Sequence, residues 1–156
     1  MGKDLKYFLR EELKTEEVLD MQGPLTITDE EGKPLIFKVK RLSSSTIDNI
    51  YAHYKKNKPA LDKGGKPYVV DGKLVMQEEK DYSKAFRHII VESLVYPDLH
   101  DEKLKTFFDC HDITELPRKM FTVKELAYIS NMVSQVLGLS EETEDEQKED
   151  FESAKN

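Results

Sequence analysis

Residues 89–99 read Ile89-Ile90-Val91-Glu92-Ser93-Leu94-Val95-Tyr96-Pro97-Asp98-Leu99. Apolar positions recur at helical spacing from Tyr82 through Phe86, Ile89, Ile90 and Leu94, with Val91 and Val95 widening the stripe. The pattern predicts a central helix over about residues 80–95, the element against which everything else in the chain packs. Pro97 ends it, because proline lacks a backbone donor and pushes Tyr96 toward extended geometry.

Downstream the sequence stays helical in short pieces. Asp101 is placed to cap a helix holding Leu104, Phe107 and Phe108, and a further helical segment is expected over roughly residues 112–119. Thr122-Val123-Lys124-Glu125 reads as a capping box, in which the threonine hydroxyl and the glutamate each satisfy an orphan backbone N–H. The helix it opens should bury Leu126, Ile129, Val133, Val136 and Leu137, and Gly138 should close it in left-handed geometry.

Upstream the signals are mixed. Leu5, Phe8, Leu9 and Leu13 predict an amphipathic helix over residues 4–14. Leu25–Thr28 and Leu35–Lys40 alternate apolar and polar around the turn-forming 29–34, so they read as a hairpin with Leu35, Phe37 and Val39 inward. Ser43–Ser45 offer caps to a helix carrying Ile47, Ile50, Tyr51 and Tyr54. Residues 55–67 are rich in Lys, Gly and Pro and predict a mobile loop. Asp71-Gly72, between Tyr68–Val70 and Lys73–Met76, marks a tight second hairpin. The element order predicts an α+β fold: small antiparallel hairpins against a bundle of about four to five helices.

Composition sets the class. The chain has 156 residues, enough for one domain over residues 1–139 with its own core. A single cysteine, Cys110, excludes an internal disulfide framework, and no apolar run approaches membrane-spanning length. The N-terminus lacks a signal-peptide pattern, so a cytoplasmic location is expected. Net charge is −7, of which the segment 140–156 carries −6 from eight carboxylates and two lysines. That segment is expected to be a disordered acidic tail. A near-neutral body with an acidic tail argues against nucleic acid as a partner.

No constellation names a reaction. His88 and Glu92 are four apart on one helix face and form an acid–base couple only if a third group orients them. Asp98, His100, Asp101, Cys110, His111 and Asp112 include metal-ligand types but lack the close pairing of a zinc site. Cys110 has only its chain neighbour His111 as a candidate base. Gly64-Gly65-Lys66 lacks the spacing and the hydroxyl residue of a phosphate loop. The reading is therefore a non-enzyme with no cofactor and no metal. Tyr128 and Met132, four apart and off the Leu126–Val133 face, leave two alternatives. They are an exposed patch suited to binding a protein, or the helix is covered on two sides by its own domain.

Three segments carry a family likeness. GKPLIFKVKRLS (32–43), IIVESLVYPDLHDEKL (89–104) and ELPRKMFTVKELAYISNMVSQVLGL (115–139), in this order and spacing, resemble the XkdN-like tail assembly chaperones of phages and phage-like elements. The resemblance implies a non-enzymatic protein that binds the tape measure protein and keeps it soluble while tail-tube subunits polymerise around it. It implies no catalytic residues, and it leaves room for contact with the tail-tube protein and for self-association. A small regulatory or antitoxin-like binding module is the alternative, since it would show the same absence of chemistry.

Overall fold

The computed structural model describes residues 4–11 and 15–139. The expected tail at 140–156, and Leu13 of the expected first helix, lie outside the described residues.

A three-stranded antiparallel sheet in the order β1-β2-β7 forms one layer. Its strands are β1 (Val18–Gln22), β2 (Ile36–Lys40) and the three-residue β7 (Leu94–Tyr96). Phe37 and Val39 on β2 point into the core and Lys38 points to solvent, the alternation read from the sequence. The partner strand differs from expectation. β2 pairs with Val18–Gln22, in register from Val18 opposite Lys40 to Gln22 opposite Ile36, and not with Leu25–Thr28. Gly23-Pro24 breaks the incoming strand, because Pro24 cannot donate to a ladder. Residues 25–28 fall in the connection, where Thr28 bridges to Pro34 and Leu35 N donates to Ile27 O at 3.0 Å. Asp29 organises that turn by accepting the backbone N–H groups of Glu31 and Lys33.

The helices form the other layer. α1 (Ser44–His53) starts where Ser43 Oγ accepts the Thr46 N–H, and α2 (Tyr82–Ser93) where Asp81 accepts that of Lys84. α2 is the central helix, burying Ala85, Ile89, Ile90 and Val91. It is shorter than predicted. At Leu94 the backbone turns extended (φ −78°, ψ 109°), and the apolar run continues as β7 along β2. The run Leu94–Tyr96 therefore serves a strand, which periodicity alone does not separate from a helix end. The Tyr96–Pro97 peptide is cis.

After it come α3 (Glu102–Phe107), a 3-10 turn at Ile113–Glu115 capped by Asp112, α4 (Leu116–Met120) and α5 (Val123–Leu137). The capping box forms as read, with Thr122 Oγ1 accepting the Glu125 N–H and Glu125 accepting the Thr122 N–H. Gly138 closes α5 at φ +70°. The N-terminal expectation is corrected: Leu5–Phe8 is one 3-10 turn capped by Asp4, and Leu5, Phe8 and Leu9 are exposed.

α2 and α5 both lie on β2, so the core is a sandwich of one small sheet and these helices. Full burial of side chains such as Ile89 or Ile129 contributes about 1.5–3 kcal/mol each. The buried Arg87 is satisfied by Thr114 O, Ser83 Oγ and Glu115, which ties α2 to the 3-10 turn.

The stretch expected to be a mobile loop is an ordered β-arm. β3 (Lys55–Pro59) pairs with β6 (Met76–Lys80), from Lys55 opposite Lys80 to Pro59 opposite Met76. Beyond this stem the ladder divides. Leu61 bridges to Pro67 around the turn at Gly64-Gly65, and β4 (Val69–Val70) pairs with β5 (Lys73–Leu74) around Asp71-Gly72. Asp71 and Gly72 both have positive φ, 52° and 75°, as the tight hairpin requires. Lysine and glycine composition hid the strand because cross-strand Lys–Glu pairs replace apolar alternation.

Candidate protein-interaction surfaces

Tyr128 and Met132 do not form an exposed pair. Met132 is 5% exposed and belongs to the core beside Ile129 and Val133, whereas Tyr128 is 43% exposed. α5 is covered by α2 and α4 as well as by β2, so its apolar arc is wider than one stripe. Met132 is thereby removed as a surface residue. Tyr128 donates its hydroxyl to the carbonyl of Gln22 at 2.9 Å and presents its ring to solvent beside the end of β1.

His88 and Glu92 do meet, within a larger hydrogen-bonded chain. Glu92 Oε1 accepts from His88 Nε2 at 3.1 Å and from His100 Nε2 at 2.8 Å. A carboxylate only accepts, so both Nε2 atoms carry protons, and Tyr54 OH shares a 2.8 Å hydrogen bond with His88 Nδ1, which it donates when the imidazole is neutral. Burial holds the Tyr54 phenol above its usual range, and the negative charges of Asp112 and Glu92 push the same way. Tyr54 and His100 could not be found from sequence, since they lie 34 and 12 positions from His88 on other segments. An open groove of about 450 Å³ between α1 and α2 runs past His88 and Glu92, lined also by Thr46, Asn49, Ile50 and His53.

Among the described residues no serine, threonine or cysteine is hydrogen-bonded to this chain of polar groups. Cys110 is buried elsewhere, and its thiol donates to Asp112 O. His111 is fully exposed beside Asp109, away from His88. Asp98, Asp101 and Asp112 serve backbone N–H groups of His100, Lys103 and Thr114. Hydrogen bonds from Thr114 hold the Asp112 carboxyl below its usual range, followed by those from Lys84. Among the described residues no group of three or more His, Cys, Asp or Glu is arranged to hold a metal ion. No helix there is long and apolar enough to cross a membrane.

A further exposed surface is the β-arm. Between residues 55 and 80 no side chain is buried, and Leu61, Tyr68, Val69, Val70, Leu74 and Met76 are all exposed. The stem is lined with charge: Lys58 and Lys56 reach Glu79 at 2.6 and 3.6 Å, and Lys55 reaches Glu78 at 4.0 Å. Lys58 is the main reason the Glu79 carboxyl titrates below its ordinary range. These exposed apolar side chains make the arm a candidate interaction surface. No single stretch of sequence announces it, because the apolar residues come from three short strands that pairing brings together.

What these features define is an α+β binding module with exposed apolar surface and no assembled catalytic centre among the described residues. The chain belongs to the phage XkdN-like tail assembly chaperone family, whose pattern it matches over residues 5–152. Among solved structures, the crystal structure of the protein YqbN, a structural-genomics target, superposes with a TM-score of 0.63 at 19% identity. That match covers 88% of this chain and 98% of the other, and shows a shared fold. No curated protein matches the chain. Membership gives a role in phage tail assembly with protein partners in the tail.

Proposed function

We propose that this protein is a non-enzymatic chaperone that binds the phage tape measure protein in the host cytoplasm. It keeps that protein soluble until tail-tube subunits polymerise around it. The observation that carries the reading is the family match over nearly the whole chain. Exposed apolar side chains on the arm, and the half-exposed Tyr128 ring, support it, since a long aggregation-prone client is held through such surfaces. Tyr128 is proposed as one client contact. The acidic segment 140–156 adds like charge that keeps a client-loaded complex dispersed.

Co-expression with the tape measure protein of the same gene cluster tests this. A soluble complex with several copies of this chain per tape measure, weakened by Tyr128→Asp, is the expected result. A tape measure that stays insoluble while this chain elutes alone would overturn the reading.

A further inference from the structure

The three-stranded sheet β1-β2-β7 is packed by helices on one face. Phe37 and Val39 turn toward α2 and α5, while Ile36 and Lys38, at the alternate positions of β2, are exposed. Residues opposite one another in a ladder share a face, so Lys40 stands beside Val18, and Lys38 between Asp20 and Tyr96. An antiparallel sheet meets water on one side when that side is polar. Here Val18, Ile36 and Tyr96 are each about half exposed and give the outer face an apolar share. Neither Lys38 nor Lys40 forms an ion pair among the described residues, and Asp20 is the one carboxylate on the three strands. The face is therefore apolar with a surplus of positive charge. Tyr128, bonded to Gln22 O, borders it at the end of β1.

Size and charge together point to the occupant. At about 3.3 Å per residue, strands of this length run about 17 Å, the length of three helical turns. Three strands about 4.8 Å apart span about 10 Å, the width of one helix. Lys38 and Lys40, two positions apart on one strand, are separated by about 7 Å, close to the spacing of side chains four apart on a helix. We infer that this outer sheet face is the seat of the client, and that the client presents there an amphipathic helix about three turns long with carboxylates at i, i+4 spacing. Its apolar stripe covers Val18, Ile36 and Tyr96, and its carboxylates meet Lys38 and Lys40. The inference rests on the chaperone reading above and adds to it which surface is used and which kind of segment is held.

Labelled peptides tiled across the tape measure protein, titrated against the full-length chain at about 50 and about 500 mM salt, test the contact. The expected binders carry carboxylates four apart beside an apolar stripe, become helical on binding by circular dichroism, and bind less tightly at high salt. Lys38→Glu/Lys40→Glu should weaken them about tenfold and flatten the salt dependence. Ile36→Asp should also cost about tenfold. Lys38→Gln/Lys40→Gln, which removes charge while keeping side-chain length, should give a smaller loss, with the parent's circular dichroism and melting point. Binders that are basic, or that bind without becoming helical, overturn the inference. So does binding that the sheet variants leave unchanged. If no peptide binds but co-expression yields a soluble complex that the sheet variants do not disturb, the chaperone reading stands and the sheet face is wrong. If no peptide binds and the co-expressed tape measure stays insoluble, that reading fails and the inference falls with it.

Discussion

Gly23 lies against the ring of Phe37 so closely that a Cβ at position 23 would sit 2.7 Å from Phe37 Cε1 and 2.9 Å from Leu35 O. Phe37 is 1% exposed and packs against Phe121, with ring centroids 6.5 Å apart. The ring cannot retreat without disturbing that contact. Gly23→Ala is expected to destabilise the fold by about 1–3 kcal/mol, as overpacking does. Thermal melting of the variant checks this, and an unchanged midpoint would show that the core yields there.

The different placement of Tyr128 and Met132 makes them separable. Met132→Ala removes a buried side chain and should cost about 2–5 kcal/mol. Tyr128→Phe loses one half-exposed hydroxyl bond to Gln22 O and should cost about 0.5–1.5 kcal/mol at most. Urea unfolding of the two variants, compared at constant slope, measures the difference.

Ser93 is fully buried at the end of α2, and its hydroxyl has no hydrogen-bond partner among the described residues. An unpaired buried hydroxyl opposes folding. Ser93→Ala should therefore be neutral or stabilise by up to about 1 kcal/mol. A clear loss of stability would mean that the hydroxyl has a partner in solution.

Glu125 titrates below its ordinary value of 4.5, chiefly through the hydroxyl of Thr26 and then the N–H of Thr122. A lowered folded-state value means the unfolded chain binds the proton more readily. The stabilisation is therefore complete above about pH 4.5 and is lost as pH falls through the lower, folded value. Thr26→Val should reduce stability at neutral pH and flatten its acid dependence. Melting curves of parent and variant should converge at the acid end.

Excising the arm should leave the body intact. Asp81 N donates to Tyr54 O at 3.0 Å, so the two ends of residues 55–80 already meet and a short glycine-containing turn can join them. With no buried side chain removed, stability should change by no more than about 0.5 kcal/mol. A large loss would show that the arm holds the α1–α2 pair together.

Local chemistry made much of this fold legible in the chain itself. Thr122 and Glu125 make their capping box, and Ser43, Asp101 and Gly138 their caps, because each needs only neighbours a few positions away. Asp71-Gly72 turns its hairpin for the same reason. The alternation of Phe37 and Val39 named the core face of β2, the order of elements implied the α+β class, and the likeness of segments 32–43, 89–104 and 115–139 pointed to the family. What depends on distant partners was decided only by tertiary structure. Val18–Gln22 pairs with β2, and Leu94–Tyr96 becomes a strand and not a last helical turn, because β2 offers each a free edge. Met132 is buried because α5 is covered from more than one side, a fact its own periodicity does not contain. Lys55–Pro59 is a strand because Met76–Lys80 pairs with it and its lysines reach Glu78 and Glu79, and ion pairing between segments about 20 residues apart leaves no period in either.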